Sequence, residues 1–269
     1  MKKEYYTTSL QHILAELERI DLLIQVQVQR ARHVQENNCE FQGLCISEQE
    51  IDALLAQPLG MPRWATTPGP VSMAELRSVL DQLAGEIAQR KAESLRQDVT
   101  LRLEKMARLF HLTPFDVDTL LICLAPELDL RYERLYAYLQ DDVTKKRPSV
   151  DLVLNLLCPS FQDKQAARNR FSSESPLFKH YLLHLFDDPS HQNPPLLSKY
   201  LKVDEHVVNY LFGSDEIDIR LQTCARLSVP QTCLDDLFLP PDVKHRLALL
   251  AEKKEVTLFL QKATFCLAA

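Results

Sequence analysis

Glycine is nearly absent from this 269-residue chain: Gly43, Gly60, Gly69, Gly85 and Gly213 are its five, and each stands alone. Phosphate-cradling loops of the G-x-x-x-x-G-K-[ST] and G-x-G-x-x-G kinds need clustered glycines, so that backbone N–H groups can approach an anion; neither kind is present. Most tight hairpins, which rely on residues with φ > 0, are excluded for the same reason. No apolar run approaches the ~20 residues needed to span a bilayer, and Met1-Lys2-Lys3-Glu4-Tyr5-Tyr6 lacks a signal-peptide apolar core. The seven cysteines, Cys39, Cys45, Cys123, Cys158, Cys224, Cys233 and Cys266, form no C-x-x-C pair. Their odd number and the lack of such a pair argue against a disulfide framework and a zinc ribbon, and point to reduced thiols in a cytoplasm. Cys123 and Cys158 lie inside apolar helical runs and are expected to be small core residues.

What remains is 46% apolar and 25% charged, ordinary for a globular protein, with a net charge of −6 that disfavours a general nucleic-acid or anionic-membrane surface. From Thr8 to about Gln35, Leu10, Ile13, Leu14, Leu17, Ile20, Ile24, Ala31 and Val34 recur at three- and four-residue steps and trace one apolar stripe of a long helix. The stripe can pack on the domain behind it, the default, or pair two copies as a homo-oligomer. A turn at Asn37-Asn38, a short apolar piece from Phe41 to Ile46 and a small helix capped by Ser47 follow. Gln57 to Val71, rich in proline, reads as a linker.

Ser72-Met73-Ala74-Glu75 opens a capping-box helix that runs to about Leu95, with Leu76, Val79, Leu80, Leu83 and Ile87 inward. A second helix covers about Val99 to Phe110. Thr113 caps a third, with Pro114 at its first position and Asp116 in its first turn; Ala125-Pro126 ends it. Asp129 caps Leu130 to about Leu139. After the charged turn Lys145-Lys146-Arg147-Pro148, Ser149 caps Val150 to Cys158. These three short helices read as a tri-helical unit of helix-turn-helix type. A helix from Pro176 to Phe186, capped by Ser175, follows. Leu196 to Val203 is a strand candidate that would form a wing, and Asp204 caps a helix closed by Gly213. Near the end come a helix from Asp242 to Ala251 and a strand from Val256 to Leu260. The fold class expected is mainly α: a helical N-terminal segment, then a winged-helix domain.

Candidate chemistry is sparse. His111, His180, His184, His191, His206 and His245 are scattered. His180 and His184 have metal-ligand spacing if they share a helix face, but further ligands are not evident and surface or capping roles are expected. Asp141 and Asp142, with Glu127 and Asp129, resemble an acidic cluster for Mg²⁺ or acid catalysis, and fit helix flanks better. Lys145, Lys146 and Arg147 are the tight basic run of the tri-helical unit. In a DNA-binding winged helix they would hold phosphates while the helix after them read bases. That helix offers only Asp151 and Asn155 as polar residues, whereas a reading helix needs exposed polar side chains along one face. Lys145, Lys146 and Arg147 are therefore the candidate partner contact, with an acidic partner favoured; a DNA-binding winged-helix transcriptional regulator is the alternative reading, and a solvated turn the plain one.

Leu120-Leu121-Ile122-Cys123-Leu124-Ala125-Pro126-Glu127-Leu128-Asp129, Arg131-Tyr132, Tyr136-Ala137-Tyr138-Leu139-Gln140-Asp141-Asp142 and Lys146-Arg147-Pro148-Ser149-Val150-Asp151 together resemble the winged-helix N-terminal domain of a bacterial AAA+ ATPase family that accompanies phage-tail-like extracellular contractile injection systems. The resemblance spans roughly Ser72 to Gly213. It implies a domain division into 1–56 (N-terminal helical segment), 57–71 (linker), 72–214 (winged helix) and 215–269 (helical linker and first strand of an ATPase module). In the family that strand leads into a Walker A loop, but no glycine follows Gln261, so the chain looks like the truncated or frameshifted N-terminal part of such an ATPase. The resemblance thus implies a non-enzymatic chain without cofactor, ATP and Mg²⁺ belonging to the missing module, and without catalytic or metal residues. Implied partners are the AAA+ module and injection-system components or effectors, with no membrane.

Overall fold

The computed structural model describes residues 5–36, 73–187, 193–215 and 238–252. The small helix at Ser47, the Gln57–Val71 linker, the capping residue Ser72, the side chain of Val34 and the strand at 256–260 lie outside the described residues. Two compact units divide the chain, Met1–Gly213 and Ser214–Ala269. In the second, the described element is helix Pro241–Glu252, which starts on a proline as its missing N–H permits.

The first unit is mainly helical with one small sheet, the winged-helix class expected. It holds α1 (Ser9–Glu36), α2 (Met73–Arg96), α3 (Arg102–Leu109), α4 (Pro114–Leu128), α5 (Arg131–Leu139), α6 (Val150–Leu157), α7 (Phe161–Ala167), α8 (Pro176–Lys179), β1 (Leu183–Phe186), β2 (Tyr200–Val203) and α9 (Glu205–Leu211). No helix among the described residues is long and apolar enough to cross a membrane.

α1 packs against α2, α4 and α5 and also meets α3, α6 and α9. Its stripe is therefore occupied within the chain: Ile13, Leu17, Ile20, Ile24 and Ala31 are buried. Leu10 and Leu14 are instead exposed, while His12, Gln27 and Arg30 are buried. A helix surrounded on several sides buries more than one face, and a single stripe understates it. Val79 of α2 likewise faces out, beside buried Leu76 and Ile87. The Ser9 hydroxyl accepts from the Arg102 N–H at 2.9 Å, so α1 caps α3, whose own N-terminal residue supplies no side-chain cap.

Thr113 and Asp116 form the reciprocal capping box at the start of α4. The helix does not stop at Pro126. Proline removes the N–H that would bond the Ile122 carbonyl one turn back. The Tyr136 hydroxyl donates to that carbonyl at 2.7 Å, so α4 continues to Leu128. Tyr136 is fully buried, and burial pushes its phenol well above the ordinary tyrosine range.

Helix ends show how the chain does without glycine. Asp98, His111, Asp141 and Tyr181 all take φ between 51° and 56°. Each is followed by a residue whose N–H bonds a carbonyl five residues back: Val99 to Ser94, Leu112 to Ala107, Asp142 to Ala137 and Leu182 to Leu177. This is the Schellman closure, made four times by residues that carry a Cβ. At Tyr181 it corrects the sequence reading. The helix expected from Pro176 to Phe186 stops at Lys179, and Leu183–Phe186 becomes β1, antiparallel to β2 with Leu183 opposite Val203 and Phe186 opposite Tyr200. Ser175 makes no side-chain cap bond. The wing thus lies where expected, but half of it comes from the supposed helix, and the strand at Leu196 begins only at Tyr200 after a short 3₁₀ turn.

Candidate functional site

The helix that a DNA-binding winged helix would lay in the major groove is here α6. Ser149 caps it, its hydroxyl accepting from the Leu152 N–H at 3.2 Å. Val150, Leu152, Val153, Leu154 and Leu156 are buried. Asp151 and Asn155 are already engaged: the Asn155 amide donates to the Asp151 carboxylate at 2.8 Å, and the Lys164 ammonium from α7 donates to the Asn155 oxygen. Burial lowers the Lys164 ammonium from its ordinary value. A helix in this state presents no row of free donors and acceptors to a base-pair edge.

The turn before α6 is built from inside. The Gln140 side chain, at the end of α5, donates to the carbonyls of Tyr136, Lys145 and Arg147 at 3.2, 2.9 and 3.0 Å. Its oxygen accepts from the Ser149 N–H at 3.2 Å. Asp142 accepts from the N–H and hydroxyl of Thr144 at 2.9 and 2.6 Å, and these bonds hold its carboxyl below the usual carboxylate range. The far side of the turn is tied to the wing: Leu201 N–H donates to the Pro148 carbonyl at 2.9 Å, Val150 N–H to the Lys199 carbonyl at 3.0 Å, and Ser149 bridges Tyr200.

On this frame the three basic residues divide. Lys145 is half-buried and lies 3.7 Å from Asp142. Lys146 and Arg147 are exposed, and neither side chain has an ion-pair partner among the described residues. Val143, 86% exposed, stands at the apex beside them. The turn therefore offers two free cations and one apolar side chain on a backbone pinned at both ends. Gln140, which organises it, carries no signal in the sequence.

The other candidates fall apart. His180 ends α8 and His184 lies on β1, so they share no helix face; Tyr181 in the left-handed region separates them. His184 instead bonds the Asp204 carboxylate at 2.8 Å. Asp204 also accepts from the His206 N–H at the start of α9, the capping role expected. Asp129 accepts from the Arg131 N–H at 2.8 Å and Glu127 is exposed. Among the described residues no group of three or more His, Cys, Asp or Glu comes together to hold a metal ion. Cys123 and Cys158 are buried free thiols; burial raises both, Cys158 to about 11, which leaves them inert as nucleophiles.

No curated protein and no solved structure matches the chain. The family described as "Winged helix domain, variant" matches residues 2–225, which takes in α1, the tri-helical unit α4–α6 and the β1–β2 wing. The chain belongs to this winged helix domain variant family.

Proposed function

We infer that the chain is a non-enzymatic protein-interaction region: the winged-helix N-terminal part of an AAA+ ATPase, docking protein substrates or particle components of a contractile injection system onto the motor, in the bacterial cytoplasm. The observation that carries the reading is the burial of α6 beside an outward-facing turn. With α6 committed to the core, the turn before it keeps Val143, Lys146 and Arg147 exposed, and cations around an apolar side chain suit an acidic protein surface. The link to the ATPase family and the injection system rests on the sequence resemblance set out above.

Calorimetric titration of the chain against the separately produced AAA+ module tests the docking reading. Binding is expected, and it should weaken when Lys145, Lys146 and Arg147 are all changed to alanine. Unchanged affinity in that variant would remove the turn from the interface. Titration with ATP tests the non-enzymatic half: binding in the micromolar range would contradict it.

A further inference from the structure

Between the end of α4 at Leu128 and the start of α5 at Arg131 the chain makes a tight corner, and Glu127, Leu128, Asp129, Leu130 and Arg131 are all exposed there. Leu128 is 39% and Leu130 70% exposed. One surface leucine needs no explanation, but two within three residues, set among acids, form a small apolar patch with a charged rim. Glu127 has no ion-pair partner among the described residues. Asp129 accepts from the Arg131 N–H at 2.8 Å and lies 3.3 Å from its guanidinium. The same guanidinium reaches Asp21 at 3.1 Å. Three carboxylates thus surround one cation, and the corner carries excess negative charge.

The turn at 141–147 has the opposite character. Lys145, Lys146 and Arg147 outnumber Asp141 and Asp142, and the apolar side chain among them is Val143. Each surface is an exposed apolar spot ringed by charge, acidic in one and basic in the other, as two faces of one contact are. They stand at the two ends of α5, whose nine residues rise about 13 Å. A chain's corner therefore cannot reach its own turn, and each surface lacks its complement within the molecule. A second copy supplies both.

Both surfaces are also held in shape before any contact. α5 is anchored between them by buried Tyr132, Tyr136 and Leu139. The Asp129 and Asp21 bonds to Arg131 fix the corner, and the Gln140 side chain fixes the turn. Surfaces already ordered lose little conformational entropy on association.

We propose that the chain associates with a second copy of itself, the Glu127, Leu128 and Leu130 corner of one seated on the Val143, Lys146 and Arg147 turn of the other. This rests on the reading of the turn as a protein contact and names the partner it takes.

Sedimentation equilibrium of the full chain, from micromolar to millimolar concentration, tests it. The average mass is expected to rise above that of one chain, and to rise less at high salt, which screens the exposed charges. Lys146→Glu with Arg147→Glu sets like charge against the corner; Glu127→Lys sets like charge against the turn. Each variant alone should associate at least about tenfold more weakly, with its circular dichroism unchanged. An equimolar mixture of the two should associate again, because the intact corner of the first meets the intact turn of the second. A mass of one chain throughout, variants that associate as the parent does, or a mixture that stays monomeric would each overturn the proposal. A monomeric chain whose turn variant still loses affinity for the AAA+ module would overturn this inference alone and leave the docking reading standing.

Discussion

Two charged regions of this protein are built on opposite terms. In the 141–147 turn, hydrogen bonds from Gln140 and Thr144 fix the chain while Lys146 and Arg147 are exposed, with no ion-pair partner among the described residues. In the cleft between α1 and α4, Arg19, Asp118 and Glu16 are between 14% and 19% exposed, and both carboxylates are bonded to the one guanidinium. Exposed charges are cheap to hold and cheap to lose. Charges drawn into a cleft depend on their partners, because an uncompensated one there loses its hydration without replacement. The turn's side chains are therefore free to serve a partner, whereas the cleft's are part of what keeps α1 seated on α4.

Arg19→Ala gives the largest effect and the sharpest contrast. It strands Glu16 and Asp118 in the cleft and should cost about 2–3 kcal/mol, somewhat below the range for a fully buried pair. Lys146→Ala with Arg147→Ala should move stability by less than about 0.5 kcal/mol. Chemical denaturation of the two variants measures both, and equal losses would erase the distinction.

Tyr136→Phe comes next. It leaves the Ile122 carbonyl, already deprived of a partner by Pro126, unpaired in the core, at a cost of about 1–3 kcal/mol. Pro126→Ala should restore most of that loss in the double variant by returning the helical N–H, and a double-mutant cycle reads the coupling.

A smaller, stabilising effect is expected at the helix ends. Tyr181→Gly or Asp98→Gly relieves a left-handed residue and should raise stability by up to about 1 kcal/mol, set against glycine's greater freedom when unfolded.

The smallest effect is in the turn itself. The Asp142 carboxyl is held below its unfolded value, so its contribution is present above that value and is lost as pH falls through the folded one. Thr144→Val should move its titration, followed by carbon NMR, back toward an ordinary aspartate. An unmoved titration would show that Thr144 does not fix the turn.

Much of this was legible in the residues. Thr113-Pro114-x-Asp116, Ser149 and Asp204 carry capping signals that the structure bears out, and the apolar run after Ser149 already spoke for burial. α7 was missed, although Ser160 and Asp163 form the S-x-x-D signal that starts it. Other features left no local trace. Pro126 reads as a helix end unless the distant hydroxyl of Tyr136 is known. Tyr181 reads as an interior residue because nothing about a tyrosine announces a left-handed backbone. Leu10 and Leu14 fit the stripe by spacing, but the neighbours of α1 are chosen by the whole fold. The Arg19–Asp118 pair was invisible for the same reason: it joins residues 99 positions apart.

The account turns on α6 being core rather than reader, and duplex DNA titrated at low salt tests this most directly. It predicts no retardation, or weak retardation indifferent to sequence and reduced in the Lys145, Lys146 and Arg147 triple alanine variant in proportion to the lost charge. Sequence-selective binding that is lost on changing Asn155, with the fold intact, would contradict it.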